Sequence, residues 1–410
     1  MHGLMAKVVV TSCSLDCPDC CSTLVHLDGA GRPVRLSGNP EHPFTKGFLC
    51  RKSRGFLERL ASPERITRPL LRRGGGFEPV SWDAALEFCA ERIQALRNSP
   101  GAIAHLRGHG YRGVLGQAST GFFAALGAST LSGSLCDDCG IEAQLADFGA
   151  LAHNDPEDLA NARRIVNWGR DTARSSIHTH AILKRARKAG ALVLAVSPGG
   201  GGAEDEADAH VRVAPGRDRF LAAAALRLLL DDGALPDAAW ERAADADALR
   251  TLLDGLDPAE ACRACGVTLD DAALVAEYYA HGPTAGLIAW GLQRHPLGGE
   301  NVRWIDALAH LSGNMGIPGG GAYFNVASGR ALRPWWPELV GPAPQPHTEG
   351  PPRSFALPSL ARELADADPP VELAWVDGLN VVNQVPEAGA MAEAFAAVPC
   401  TVVVDAFMND

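Results

Sequence analysis

The residues best suited to chemistry are cysteines near the start of the chain. Cys13, Cys17 and Cys21 follow a C-x3-C-x3-C spacing, and Cys50 comes after 28 intervening residues. Cys20 adds a thiol directly beside Cys21. A cubane iron–sulfur cluster has four iron corners, each wanting one thiolate. Three close cysteines on one loop can wrap three corners, and a distant fourth can take the last. Tetrahedral zinc usually takes paired C-x2-C knuckles, which this spacing lacks. The pattern favours a 4Fe-4S cluster, with zinc and structural thiols as the alternatives. Elsewhere, Cys262-x2-Cys265 reads as structural, with a redox pair as the other reading. Cys89 and Cys400 lie in apolar surroundings and read as core.

The elements around these cysteines come next. Val8 to Thr11, Thr23 to Leu27 and Pro33 to Leu36 read as strands, with a hairpin turn at Asp28-Gly29-Ala30-Gly31. Ser81 is a good N-cap for a helix running to Arg97. Ile103 to Leu106 then reads as a buried strand and Ala118 to Leu126 as a helix. A strand at 164–168, a helix at 177–188 and a strand at 191–196 make a βαβ unit, so the sheet is expected to be parallel. Phe220 to Leu230 reads as a helix, and 286–290, 373–376 and 401–404 as strands. Gly199 to Gly202 and the Pro-rich stretch 334–352 read as loops. The fold class is α/β.

The chain has 410 residues, with 37 Lys+Arg against 48 Asp+Glu and a formal net charge of −11. That acidic balance argues against a nucleic-acid binder. The best apolar run, Phe220 to Leu230, is interrupted by Arg227 and is too short to span a membrane. The sequence shows no secretory or twin-arginine start, so a cytoplasmic location with reduced thiols is expected. Eleven cysteines then point to metal ligands and core thiols more than to disulfides.

Three stretches carry a resemblance. They are Cys13-Ser-Leu-Asp-Cys17-Pro-Asp-Cys-Cys21, Asn39-Pro-Glu-His-Pro-Phe-Thr-Lys-Gly-Phe-Leu-Cys50-Arg-Lys52, and Pro79-Val-Ser-Trp-Asp-Ala-Ala85. Together they resemble the N-terminus of the molybdopterin oxidoreductases, the dimethyl sulfoxide reductase family. The resemblance implies molybdenum or tungsten on a bis-molybdopterin guanine dinucleotide (bis-MGD), plus a 4Fe-4S cluster. The family pattern Cys-Pro-Asp-Thr-Cys has threonine where Cys20 stands, so Cys21 is the implied ligand. Lys52 would assist electron transfer between cluster and pterin; a solvated surface lysine is the plainer reading.

The same resemblance extends along the chain. In Ser132-Gly-Ser-Leu-Cys136-Asp-Asp-Cys139-Gly140, Cys136 matches the position that ligates molybdenum, with Cys139 or Asp137 as rivals. Formate dehydrogenases place histidine directly after that ligand. Asp137 stands there instead, as a candidate proton carrier. Dinucleotide-like cofactors sit at the C-terminal ends of parallel strands, where glycine lets the backbone approach. Trp168-Gly169-Arg170-Asp171, Ser197-Pro198-Gly199 and Pro215-Gly216-Arg217-Asp218 fit that rule in order and spacing. The family usually has Asn at 171, Asp-Pro-Arg at 197–199 and Thr at 217, and Arg170 and Arg217 are candidate replacements for phosphate contact. Trp290-Gly291-Leu292-Gln293-Arg294-His295, Leu311 to Gly320, Asp377-Gly378-Leu-Asn380 and Phe407 to Asp410 match as well. Gly291, Gln293 and Asn380 are implied cofactor contacts. His295 is a candidate catalytic group lining a substrate funnel, or simply a satisfied polar residue.

The expected architecture is a small β-rich cluster domain (1–60), an incomplete discontinuous α/β domain (61–150 and 290–410), and a Rossmann-like pterin-binding domain (151–289). The family's C-terminal β-barrel cap has no counterpart here, implying a fragment or a cap supplied by a separate subunit. The implied function is two-electron oxo or hydride transfer on a small-molecule substrate, with electrons passed to a partner protein. The rival is a non-catalytic iron–sulfur electron-transfer or scaffold subunit that has lost molybdenum, like the large subunit of NADH dehydrogenase.

Overall fold

The computed structural model describes residues 7–15, 17, 19–110, 113, 116–326 and 352–409. Most of the loop expected at 334–352 lies outside them. Among the described residues fifteen strands follow in chain order. The first seven are β1 (Lys7–Ser12), β2 (Ser22–Leu27), β3 (Pro33–Gly38), β4 (Leu70–Arg73), β5 (Gly76–Pro79), β6 (Ile103–Arg107) and β7 (Thr130–Ser132). Next come β8 (Arg164–Trp168), β9 (Leu192–Ser197), β10 (Ala209–Arg212), β11 (Thr284–Ile288) and β12 (Gly321–Tyr323). The last are β13 (Ser354–Ala356), β14 (Leu373–Asp377) and β15 (Cys400–Val404). They fall into two compact units, residues 1–135 with 332–410, and residues 136–331.

In the first unit β1, β2 and β3 form an antiparallel meander. Its hairpin turn is fixed by the Asp28 carboxylate, which accepts the N–H groups of Ala30 and Arg32, both at 2.9 Å. Ser81 caps the Trp82–Ala95 helix through the Ala84 N–H. A parallel sheet of order β15-β14-β6 carries Ala104, Leu106, Ala374 and Val376 into a core with Leu360 and Met391.

In the second unit a five-stranded parallel sheet runs β10-β9-β8-β11-β12. The Ile177–Lys188 helix makes the β8–β9 crossover. The Asp218–Asp231 helix buries Leu221 to Leu226 without a break. Strand β11 is buried at every residue, as strands covered on both faces are. It starts two residues earlier than the apolar run suggests. Buried Thr284 joins it by donating its hydroxyl to the Tyr278 carbonyl at 2.6 Å.

The units divide at 135/136 and 331/332. Strand β12 pairs with β11 in one sheet. The Asp138–Phe148 and Gly298–Leu311 helices are joined by Gln144 Nε2 donating to Asp306 (3.0 Å) and Arg303 Nε donating to Asp147 (2.8 Å). Residues 1–60 fall within the first unit. Among the described residues no helix is long and apolar enough to cross a membrane.

Candidate metal centre and cofactor loops

The β1–β2 ladder ends with Ser12 opposite Ser22, which sets Cys13 beside Cys21. The Cys13 N–H donates to the Cys21 carbonyl at 2.9 Å. Cys17 lies on the loop between them, and Cys50 caps the short Arg51–Arg54 helix. Burial pushes the Cys17 thiol up to about 11 and the Cys21 thiol to about 12, and Asp19 adds to both. Cys13 and Cys50 raise both further. The four thiols that the spacing singles out are thus gathered within electrostatic reach of one another. Cys21 is 7% exposed. Its neighbour Cys20 is exposed, on backbone with φ of 44°. Among the described residues no three His, Cys, Asp or Glu could share a single metal ion. A cubane instead gives each thiolate its own iron, and four partly buried sulfurs suit that donor set. Lys52 is exposed on the helix that Cys50 opens.

The first unit holds one more expected contact. Asp377 ends β14, 2% exposed. Its carboxylate accepts His105 Nε2 at 3.0 Å and Arg107 Nη1. The Gly110 N–H donates to the Gly378 carbonyl at 2.8 Å, and a Cβ on Gly108 would stand 2.6 Å from that oxygen. This close approach fixes the start of 378–380. Asn380 then caps the Val381–Gln384 helix through the Asn383 N–H.

In the second unit a short turn at Leu292–Arg294 holds Cys136. The Gln293 amide donates to the Cys136 carbonyl, and its oxygen accepts the Gly140 N–H at 3.3 Å. Arg294 donates through Nε to the same carbonyl and through Nη2 to the Cys136 Sγ, both at 3.2 Å. Asp137 accepts from Asn325 Nδ2 at 3.4 Å. The Gly299 N–H donates to the Cys139 Sγ at 3.1 Å. Arg294, which the sequence marks only as part of the family-matching stretch 290–295, therefore touches the candidate ligand itself.

The strand-end loops sort into core and surface roles. Trp168 is fully buried, its indole N–H donating to the Tyr279 hydroxyl at 3.1 Å. Gly169 has φ of 70°, and a Cβ there would stand 3.1 Å from Leu292. Asp171 caps the Thr172–Ser175 helix and pairs with Arg174 at 2.8 Å. The Ser197 hydroxyl accepts the Gly199 N–H at 3.1 Å and meets His210 Nε2 at 3.0 Å, which turns the chain at Pro198. Glu204 accepts the Gly200 N–H at 2.6 Å. After Pro215, Gly216 has φ of 70° and a Cβ there would stand 2.6 Å from the His295 ring, so sequence-distant His295 and Gly216 meet. Gly291 is exposed at the start of the turn that holds Cys136. Asp218 opens the next helix, where burial lifts its carboxyl to about 6.

Two further residues escaped the sequence reading. Asn301 ties three segments together, donating to the Gly216 and Leu292 carbonyls (3.3 and 2.9 Å) and accepting the Arg219 N–H at 3.0 Å. Arg212 on β10 places its guanidinium 3.0 Å from where a Gly199 Cβ would be. The only sequence signal for Asn301 is a polar residue on an apolar helix face. Arg212 had none.

Comparison with known proteins adds independent findings. A family model described as molybdopterin oxidoreductase matches residues 65–410, and one described as the molybdopterin oxidoreductase Fe4S4 domain matches residues 6–62. The probable oxidoreductase YyaE of Bacillus subtilis is 34% identical over 412 residues, covering 99% of this chain and 61% of its own. YoaE of the same organism is 30% identical over 416 residues, covering 97% and 59%. Acetylene hydratase from Pelobacter acetylenicus shares the fold, with a TM-score of 0.74 at 14% identity, covering 97% of this chain and 61% of that one. The chain thus spans about three-fifths of the length of these relatives.

Proposed function

The chain belongs to the molybdopterin oxidoreductases, and from that premise we propose that it binds molybdenum or tungsten on bis-MGD and relays electrons through a 4Fe-4S cluster. When bound, the metal–pterin group supplies two-electron chemistry on a small-molecule substrate, and the cluster supplies one-electron transfer to a partner protein. Cys13, Cys17, Cys21 and Cys50 hold the cluster. Burial holds the Cys17 and Cys21 thiols up at about 11 and about 12, so loading the cluster onto them releases protons. Cys136 is the thiol offered to molybdenum or tungsten. Arg294 holds its sulfur and Gln293 fixes its carbonyl, so the ligand is oriented before the metal arrives. Asp137, tethered by Asn325, holds or moves a proton beside that ligand, and His295 is a second candidate for the same task. Gly169, Asp171, Ser197, Pro198, Pro215, Gly216, Asp218 and Gly291 shape the strand-end loops that receive the dinucleotide. Asn380, just after the end of β14, is a further cofactor contact implied by the family pattern. Lys52 assists electron transfer.

The observation that carries this reading is the gathering of four thiols, Cys13, Cys17, Cys21 and Cys50, within electrostatic reach of one another in the first unit; in the second unit Arg294 donates to the Cys136 sulfur. One observation favours the rival electron-transfer or scaffold reading. Asp171 already takes the Arg174 N–H of the short helix after its loop, and Glu204 takes the Gly200 N–H of the next loop, where a phosphate would want positive charge. Metal analysis of anaerobically purified protein decides. About four iron with about one molybdenum or tungsten per chain supports the enzyme. About four iron with neither supports the rival, and absence of iron overturns both.

A further inference from the structure

Cys136-Asp137-Asp138-Cys139 is a C-x2-C pair at the start of the Asp138–Phe148 helix, and the function proposed above uses only its first thiol. We propose that Cys136 and Cys139 form a reversible dithiol–disulfide pair, closed by exchange with a low-molecular-weight disulfide and reopened by a thiol. Side chains three apart on a helix lie roughly 5–6 Å apart at Cβ, and a disulfide needs about 3.5–4.5 Å. Cys136 precedes the Asp137 cap, outside the regular helix, so closure takes a local backbone adjustment on the order of an ångström there. A C-x2-C pair is also the arrangement that thiol–disulfide oxidoreductases use.

The local geometry draws the pair together. One side chain, Gln293, bridges the Cys136 carbonyl and the Gly140 N–H, so 136–140 closes as a single turn. Each sulfur also faces a donor, Arg294 Nη2 at 3.2 Å for Cys136 and the Gly299 N–H at 3.1 Å for Cys139. Cys139 is exposed and Cys136 half-buried, so a small disulfide reaches them. The other C-x2-C pair, Cys262 and Cys265, differs on this point. Both of its thiols are buried, and the Cys265 thiol donates to helix carbonyls.

The exchange balances in two steps. One cysteine sulfur attacks the small disulfide RS–SR, its S–S bond breaks, and one RS⁻ leaves behind a mixed disulfide. The second cysteine sulfur attacks that mixed disulfide, closes the Cys136–Cys139 bond and releases the second RS⁻. Two electrons pass from the protein to the small disulfide, and the two thiol protons end on the two RSH. The pair stands whether or not Cys136 meets a metal. Its consequence, that the closed form withholds Cys136 from molybdenum or tungsten, rests on the function proposed above.

The test treats the full chain with excess oxidised glutathione, alkylates remaining thiols and digests with trypsin. No Lys or Arg lies between Arg112 and Arg163, so one peptide carries Cys136, Cys139 and no other cysteine. That peptide is expected to be two hydrogens lighter and unalkylated, falling to less than roughly a tenth of the total after dithiothreitol. The Cys139→Ser variant is expected to keep one glutathione on Cys136 instead. A wild-type peptide alkylated at both thiols, or one that retains glutathione, overturns the proposal. Molybdate loading measured on the closed and reopened forms separates the two readings. A several-fold lower molybdenum content in the closed form supports the consequence. Equal content with the disulfide present overturns the ligand role of Cys136 and leaves the pair intact.

Discussion

Replacing Asp377 by alanine strips a buried carboxylate from two cationic or potentially cationic partners. In the wild type His105 Nε2 sits 3.0 Å from it, and Arg107, with 16% of its side chain exposed, donates to the other oxygen. The His105 ring is in turn stacked on Phe123, with centroids 4.5 Å apart, so it cannot swing out to water without losing that packing. Burial alone would push the Asp377 carboxyl up. Hydrogen bonds from His105, then Ser119 and Arg107, outweigh it and hold the group below the ordinary aspartate value. Removing one partner of a buried charged pair costs about 3–5 kcal/mol. For a unit of about 200 residues each kcal/mol lowers Tm by about 2–4 °C, so the expected drop is about 6–20 °C. Circular dichroism melts at neutral pH read it directly. A depressed folded-state pKa means stability that is present above the unfolded value and lost as pH falls through the folded one. The gap between wild type and Asp377→Ala should therefore narrow below about pH 4. A drop under about 1 kcal/mol, or a gap independent of pH, would refute the account of a buried, partnered carboxylate.

Four further expectations follow from the same geometry. Cys20→Ser should keep the wild-type iron and acid-labile sulfide, whereas Cys21→Ser should lose at least half; equal contents in the two variants would count against the choice of Cys21. Cluster reconstitution should tighten as pH rises, because the Cys17 and Cys21 thiols, at about 11 and about 12, must shed protons to bind iron; a flat profile in iron uptake would contradict that. Gly140→Ala should cost about 1–3 kcal/mol in chemical denaturation, since the new Cβ would stand 2.3 Å from the Phe324 ring; a second change, Phe324→Leu, should recover part of it. Asp218→Asn should gain stability over wild type between pH 4 and 7. A carboxyl raised to about 6 contributes stability that is present below the ordinary aspartate value and lost as pH rises through about 6. Melts of both proteins across that range should diverge by at most about 2–3 kcal/mol.

Much of the fold was legible because local signals agreed with the final packing. Ser81 capped its helix, Asp28 made its turn, and the alternation of strand, helix and strand over 164–197 gave a parallel crossover. The unit boundaries were not legible. Whether residues 290–326 belong with what precedes or follows depends on β12 finding β11 and on a buried pair, Gln144 and Asp306, that lies 162 positions apart in sequence. Nothing local encodes such a meeting. The cysteines of the candidate centre declared themselves by type and spacing. Their neighbours did not, because Arg294 and Asn301 act through backbone carbonyls and a thiol that only the folded chain brings to them. Trp168 is a different case. Its motif marks a strand end where the backbone meets a ligand; its side chain is core, so a contact there falls to the backbone that follows.

The guanidinium of Arg212 against Gly199 also limits how this chain can change. Any side chain at 199 would begin 3.0 Å from Arg212 Nη2, on backbone with φ of 92° that a residue with a Cβ adopts reluctantly. A side chain at 199 would therefore make the Arg212 guanidinium, the far end of a flexible side chain, give way by a few tenths of an ångström. The position from which a cation serves this loop is thus coupled between 199 and 212, and a change at one alters what the other side chain can occupy.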